Sequence, residues 1–475
     1  MMDNRQNNSV VMKMFDQKML VREKAETGKV GIEARALLAL AWPVILSSLN
    51  WTLLHITDIA FVGQAGTKEV AAFGASRALT YIAIVAGLSA QAGVLVYTSR
   101  ADGARDHAET GRVLRSGLLL GAGSGLVACL ILTFFASSLL RAIGVTAELI
   151  PVASAVVRVM AFCYPASLVM TAAAYWLEGI SRPRAVMAVN LGMLPVNGVL
   201  AWALSGGHLG LPLLGAVGAA LATLICVWGA AILMLVAVWN ADADGSRQVR
   251  DTSRAAWTLA WRGVPALASF GVVPAIAAAL ELAGFSWLIV LSTQLGDEAA
   301  HAFQIVFTLH NLTFSLALGM GSAAGVRVGN AIGAGESDQS RSRTFIAAGI
   351  AMALTAAAAI ILAVGAGPIT AAYPATTHVH QLAASMLLLW APFILFDGVQ
   401  LVFNYALRSL GDQVAAGGAS ITSFFVVTGG LGWLLVHNGW GPYGLVIASG
   451  SGMVVAALLM GSRLIFVTSA LRPKS

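Results

Sequence analysis

Twelve long apolar runs, separated by short polar segments, occupy almost the whole chain after its first 35 residues. They fall at 36–62, 70–98, 113–137, 150–176, 185–206, 212–239, 264–294, 299–329, 343–366, 379–407, 414–436 and 443–467. About 20 apolar residues carry an α-helix across the hydrocarbon core of a bilayer. The pattern therefore predicts an all-α membrane protein of twelve transmembrane helices. The longest inner connection lies between the sixth and seventh runs. It divides the chain into a polar tail (1–35), a first lobe of six helices (36–239), a linker (240–262), a second lobe of six (263–470) and a short C-terminal segment (471–475).

The halves resemble each other at a nearly constant offset. "GTKEVAAFG" (Gly66 to Gly74) matches "GDEAAHAFQ" (Gly296 to Gln304), "RADGARD" (Arg100 to Asp106) matches "NAIGAGE" (Asn330 to Glu336), and "AYWLEGIS" (Ala174 to Ser181) matches "NYALRSLG" (Asn404 to Gly411), all three at the same spacing. "LLGAV" (Leu213 to Val217) and "PYGLV" (Pro442 to Val446) match one position short of it. An even number of helices per repeat gives both halves the same topology. That predicts a parallel repeat about an axis along the membrane normal, with a cavity between the lobes.

Charge orients this arrangement. Of 28 Lys and Arg, 24 fall in the tail and alternate inner segments, two (Lys68, Arg141) in outer loops and two (Arg77, Arg158) inside helices. Basic residues concentrate on the cytoplasmic side, so both termini are expected there, in a multi-pass protein of the cell inner membrane. The same distribution reads the net charge of +6 as topology and not as a nucleic-acid footprint. Only 11% of residues are charged, against about 25% in soluble domains. The tail's basic residues are placed to touch anionic lipid. No cleavable signal peptide is visible, the first apolar run starting only at Ala36. Cys129, Cys163 and Cys226 lie in apolar runs and read as small buried hydrophobes.

Charges inside a bilayer are costly and tend to be functional. Glu281 and Asp397 lie deep in the seventh and tenth runs. Asp58 lies in the outer part of the first, with His55 on the same face. A carboxylate without a counter-charge in a low-dielectric cavity can take a proton from one side and release it on the other. Two close together titrate as a pair or hold a cation such as Na⁺. The plainer alternative is a neutral acid that ties helices together. Asp397 has Ser167 at its repeat position, so the second lobe carries the stronger site. Asn190, Asn197, Gln304 and Asn311 either line the cavity or bond across helices. Pro43, Pro165, Pro195, Pro274 and Pro392 invite kinks. No P-loop, HExxH or CxxC is present.

The residues resemble a known family. "WPVILSSLNWTLLHITDIAFVGQAGTKEVAAFG", "GMGSAAGVRVGNAIGAGE" (Gly319 to Glu336), "ALRSLGD" (Ala406 to Asp412) and "LEGISRPR" (Leu177 to Arg184) are similar to multidrug and toxic compound extrusion (MATE) sequences, most like the NorM-type branch, over about Ala36 to Arg472. The resemblance implies a two-lobe, twelve-helix fold and antiport of small organic, often cationic, compounds against H⁺ or Na⁺, with no other cofactor. It implies Asp58 at the first-helix aspartate, Glu281 and Asp397 at the acidic pair of the second lobe, all three expected as ion-coupling residues, and Asn197 at a fifth-helix asparagine. Ala201 replaces an acid and Phe393 a tyrosine found in some members, which weakens direct transfer of the first-lobe proton site and of the sodium site; H⁺ is the expected coupling ion. Asn197, Gln304, Asn311, Trp390 and Phe393 are the expected cavity residues, with Phe285, Trp287 and Phe396 as further aromatics for cation–π contact. No bound metal is expected beyond a Na⁺ at Glu281 and Asp397. The expected partners are a small-molecule substrate and the bilayer, with no nucleic acid, and the expected state is a monomer. The alternatives are a flippase for a lipid-linked precursor and, from another class, a membrane-embedded enzyme acting on lipid.

Overall fold

The computed structural model describes residues 3–470, with side chains from Val30 onward. Twelve helices are long and apolar enough to span a membrane. They are α1 (Val30–Ala65), α2 (Thr67–Gly103), α3 (His107–Ala142), α4 (Ile150–Gly179), α5 (Pro183–Gly206), α6 (Gly215–Ala241), α7 (Arg254–Gln294), α8 (Asp297–Gly333), α9 (Gln339–Val364), α10 (Thr377–Ser409), α11 (Gln413–His437) and α12 (Gly441–Ala470). There are no strands among the described residues. In a bilayer only intra-segment hydrogen bonding satisfies the backbone, which is why apolar runs of this length become helices.

Two boundaries differ from the hydropathy reading. The helix containing α1 begins at Asp3, so the tail continues it without a break; the tail's side chains and residues 471–475 lie outside the described residues. The helix of α7 begins at Arg254, where Ser253 caps it by accepting the Ala256 N–H at 3.2 Å. Arg254 and Arg262 make that first part too polar for a hydropathy window. The linker therefore shortens to the segment between Ala241 and Arg254, and it is built. Buried Asp242 accepts the backbone N–H groups of Arg247 and Val249, both at 2.8 Å. Arg247 in turn donates to Asp102 (2.7 Å) and to the Thr110 hydroxyl (3.2 Å).

The repeat is written into the backbone. Left-handed residues occur in pairs at the spacing of the sequence motifs: Gly66 with Gly296, Arg105 with Gly335, and Ser181 with Gly411. The fourth helix of each half breaks at a matching place, at Phe162 in α4 and in a 3-10 turn over Ala391–Phe393 in α10.

Each lobe has its own core, but the first helix of each crosses over. Leu37 and Ala41 of α1 are buried in the second-lobe core, and Leu267 of α7 in the first-lobe core. Glycines allow these crossings. A methyl at Gly319 would strike α1 at Ile45, and one at Gly271 would strike the Ala90 carbonyl. Close backbone approach through small residues is how membrane helices gain packing when lipid offers no hydrophobic drive.

The lobes are sealed at one end, the end that carries the tail and linker and most of the arginines. Asn330 donates its amide to the Ser99 carbonyl at 3.0 Å. Arg100 donates from Nε and Nη2 to the Ser409 carbonyl at 3.0 and 2.7 Å. Ser116 donates to the Ala260 carbonyl at 2.7 Å, and Arg327 pairs with Glu33 at 2.7 Å. Towards the opposite end of α8, Gln304 and Asn311 are exposed.

Candidate functional site

The membrane-embedded polar residues gather in three places: one in each lobe and one on the seam. In the first lobe, Asp58 on α1 is buried and accepts the Asn197 amide of α5 at 2.8 Å and the Thr223 hydroxyl of α6 at 3.3 Å. Arg77 of α2 approaches the same carboxylate at 3.9 Å. The Arg77 guanidinium also meets the His55 imidazole and lies 5.5 Å over the Phe73 ring. Asp58 is therefore charge-compensated. The carbonyl oxygen of the Asn197 side chain, fully buried, has no protein partner.

Arg77 is the component that sequence reasoning passed over. It appears there only as one of two basic residues inside helices. The signal was available: Asp58 and Arg77 flank the tight turn at Gly66 at similar distances, so the hairpin brings them to similar depth.

The second lobe is different. Glu281 stands on α7, half-buried, and makes no hydrogen bond or ion pair to a protein group among the described residues. Asp397 stands in the first turn after the α10 break, 2% exposed, and accepts only the Gln400 amide at 3.2 Å; its Oδ2 has no partner. The two lie within Coulombic reach of each other. One turn beyond Glu281, Gly284 lets α7 press against the Phe424 carbonyl in a π-helical stretch of α11 (Ile421–Thr428). Such widened turns are frequent at functional sites.

The cation fit at this pair is poor in oxygen. Gln400 turns its amide nitrogen, not its oxygen, towards Asp397, and Phe393 offers no hydroxyl. No group of three or more His, Cys, Asp or Glu suited to a metal is found among the described residues.

The expected cavity residues divide. Gln304 and Asn311 are exposed on one face of α8, two turns apart. Trp390 and Phe393 point into the second-lobe core. Phe393 packs on Gly450 of α12, and Trp390 sits edge-on to His310 at 5.1 Å. His310 is enclosed by Phe285, Phe307 and Phe314 at 5.5–6.0 Å between ring centres.

The third place is the seam. Glu178 of α4 is buried and accepts the Ser322 hydroxyl of α8 at 2.7 Å. Its repeat counterpart is Arg408 of α10.

Comparison with known proteins agrees with this architecture. The MatE family model matches twice, over residues 43–203 and 274–434. The two matches are of equal length, and their spacing is within one position of the offset read from the motifs. The chain is 30% identical to the "Probable multidrug resistance protein NorM" of Deinococcus radiodurans, covering 94% of this chain and 98% of that one. It is 27% identical to the protein of the same name from Bradyrhizobium diazoefficiens, over 97% of each. Among solved structures, the eukaryotic MATE transporter AtDTX14 superposes with a TM-score of 0.81 at 20% identity, covering 92% of this chain and 96% of that one. A structure titled the outward-facing conformation of a multidrug resistance MATE family transporter superposes with the same score, identity and coverage.

Proposed function

The chain belongs to the MatE family, and we propose that it is an H⁺-coupled antiporter exporting small organic cations across the inner membrane by alternating access. The observation that carries the reading is the pair Glu281 and Asp397: two carboxylates with almost no protein partners, in a bundle whose lobes are sealed at one end. Neither acid makes an ion pair among the described residues, so each proton taken up changes the local charge by one unit. An organic cation and a proton then compete for the same negative charge, which is the minimum requirement for antiport.

With the arginine-rich end in the cytoplasm, the seam closes the cytoplasmic side and the lobes are read as open towards the outside. Protons from outside neutralise Glu281 and Asp397, the cation leaves, and the protonated lobes rock to face inward. Protons are lost there and a new cation is taken up. A charge moved through 100 mV supplies about 2.3 kcal/mol, to which the pH gradient adds. The compensated Asp58 is read as a fixed structural charge that shapes the first-lobe wall, with Asn197, Gln304 and Asn311 supplying hydrogen bonds to substrate. The thin oxygen set around Asp397 favours H⁺ over Na⁺.

The test is reconstitution in liposomes with ethidium as the reporter cation, under an imposed pH gradient and then a sodium gradient. Uptake driven by the pH gradient and abolished by Glu281→Gln or Asp397→Asn is expected. Uptake driven by sodium alone would overturn the ion assignment. Uptake that both variants retain would overturn the site.

A further inference from the structure

The start of α7, 254–263, precedes its apolar run, which begins at 264. Arg254, Trp257, Thr258 and Trp261 recur there at steps of three and four, so they share one face. With Leu119 of α3 opposite, they line a groove of about 330 Å³. Beside it the two helices are fastened together. The Ser116 hydroxyl of α3 donates to the Ala260 carbonyl at 2.7 Å, and Gly263 packs on the same hydroxyl. We propose that this groove binds an anionic phospholipid of the leaflet at the arginine-rich end, its phosphate on Arg254 and its chains along Leu119 and the two indoles.

The α7 wall follows the layers of a lipid. At 1.5 Å per residue, Trp257 and Trp261 lie about 5 and 10 Å deeper than Arg254. The headgroup layer is about 5–8 Å thick on each side of the hydrocarbon core. With Arg254 at the level of the phosphates, Trp257 stands among the glycerol esters and Trp261 at the edge of the hydrocarbon. Leu119 lies further along α3 than Ser116, so it faces the chains. Indoles suit that boundary, because the ring is apolar and the N–H donates to an ester carbonyl.

The binding groups have no other engagement. Arg254 is exposed and makes no hydrogen bond, ion pair or ring contact with a protein group among the described residues. The arginines of the linker and of the start of α3 are engaged instead. Arg112 pairs with Glu109 at 2.6 Å, Arg115 donates to the Gln248 carbonyl and Arg247 to Asp102, both at 2.7 Å, and Arg250 lies 5.2 Å over the Trp239 ring. Asp251, the acid nearest to Arg254 in sequence, accepts the Ser253 N–H at 2.9 Å, and no acidic side chain lines the groove. Trp176 and Trp228 donate their indole N–H groups to carbonyls at 2.8 and 3.1 Å; those of Trp257 and Trp261 have no acceptor among the described residues. A guanidinium presents a planar fork that a phosphate accepts in two bonds. Without an acid, the groove offers nothing to the ammonium of a zwitterionic headgroup.

The fold does not require this face. Arg254 has a basic repeat counterpart in Lys24, but Trp257, Thr258 and Trp261 stand where the first half carries Thr27, Gly28 and Gly31. Trp261 is 65% exposed, so no interior packing accounts for it.

The test offers the full-length protein, purified in detergent, equal amounts of phosphatidylglycerol and phosphatidylcholine with the same acyl chains. Native mass spectrometry counts the lipid retained. The parent should retain phosphatidylglycerol in preference. Arg254→Gln, a change at an exposed position, should cut that preference about five-fold. Trp261→Ala should weaken retention of both lipids alike, since the indole holds esters and chains and not the charge. Arg184→Gln is the control, an exposed arginine stacked 5.7 Å over Trp42 away from the groove, and should change nothing. A photoreactive phosphatidylglycerol should crosslink to the segments that carry Leu119 and Trp257–Trp261. A parent without preference, a preference that survives Arg254→Gln, or one lost equally in Arg184→Gln overturns the site. Crosslinks confined to other segments overturn it as well. Displacement of the lipid by inorganic phosphate would make the groove a site for a free anion and overturn the lipid assignment. Should Trp261→Ala fail to fold, Arg254→Gln and the crosslinks carry the decision.

Discussion

Gly103 and Asn330 meet across the seam so closely that a methyl on Gly103 would strike the Asn330 backbone, and at the equivalent places of the repeat Gly333 meets Arg100 in the same manner. The sealed end is therefore one contact made twice, with a glycine from each lobe accepting the backbone of the other. A glycine within a helix costs backbone entropy. Here it admits an approach that no side chain would permit.

Gly103→Ala and Gly333→Ala should each disfavour the sealed state by about 1–3 kcal/mol, the usual cost of overpacking. That shifts the sealed-to-open ratio roughly 5- to 150-fold. Transport should fall while thermal stability changes little, because both lobes keep their own cores. Gly74→Ala, where a methyl meets nothing, is the control. Equal loss of transport in the control would remove the seam from the explanation.

The left-handed positions give a second pair of predictions. Arg105 and Ser181 adopt positive φ where the second half has Gly335 and Gly411. The left-handed conformation costs an L-residue about 1–2 kcal/mol. Arg105→Gly and Ser181→Gly should raise the midpoint of thermal unfolding in detergent, and Gly335→Ala should lower it. A Ser181→Gly protein less stable than its parent would mean that the serine side chain contributes more than its strain costs.

The helices and the repeat were legible because the bilayer imposes one constraint on length and another on charge, and both leave marks in a linear chain. The seam motifs were legible as paired segments, but that Gly103 touches Asn330 was not, since the motifs align the halves without saying which surfaces meet. Rotation about each helix axis was the least legible property. A helix apolar on every side does not announce which face is buried, so Trp390 and Phe393 could be assigned to a cavity while they pack against α8 and α12. The polar start of α7 was lost for the same reason in reverse: Arg254 and Arg262 hid a helix that Ser253 caps. Asp58 was found because it is an acid in an apolar run, and Arg77 was passed over because its place is fixed only by the hairpin.

The pairing of Asp58 with Arg77 can be weighed by a double-mutant cycle. Asp58→Asn strands a mostly buried guanidinium and should cost about 2–3 kcal/mol, below the range for fully buried pairs because Arg77 keeps 18% of its side-chain surface exposed. Arg77→Gln alone should cost a comparable amount. The double variant should recover most of the loss, since two neutral groups can hydrogen-bond to each other and to Asn197. Unfolding of the four proteins in detergent measures the coupling. Strict additivity would mean that the 3.9 Å approach carries no energy, and Asp58 would then return to the set of uncompensated acids with Glu281 and Asp397.

The linker separates acid effects on the seam from acid effects elsewhere. Asp242→Ala leaves two part-buried N–H groups without their protein partner, at about 1 kcal/mol each, so trypsin at neutral pH should cut faster at Arg247 and Arg250. Titration of the linker's other carboxylates is a different matter. The backbone N–H and hydroxyl of Ser246 hold Asp244 below the ordinary carboxylate range, and those of Ser253 do the same for Asp251. Because the folded values are depressed, their stabilisation is present above the ordinary value of about 3.9 and is lost only as pH falls below it. Hydrogen exchange at the Ser246 and Ser253 amides, corrected for the intrinsic effect of pH, should therefore be unchanged between neutral and mildly acidic conditions. An opening of the seam over that interval then does not originate in Asp244 or Asp251. Faster exchange at these two amides on mild acidification would place a titrating group in the linker itself.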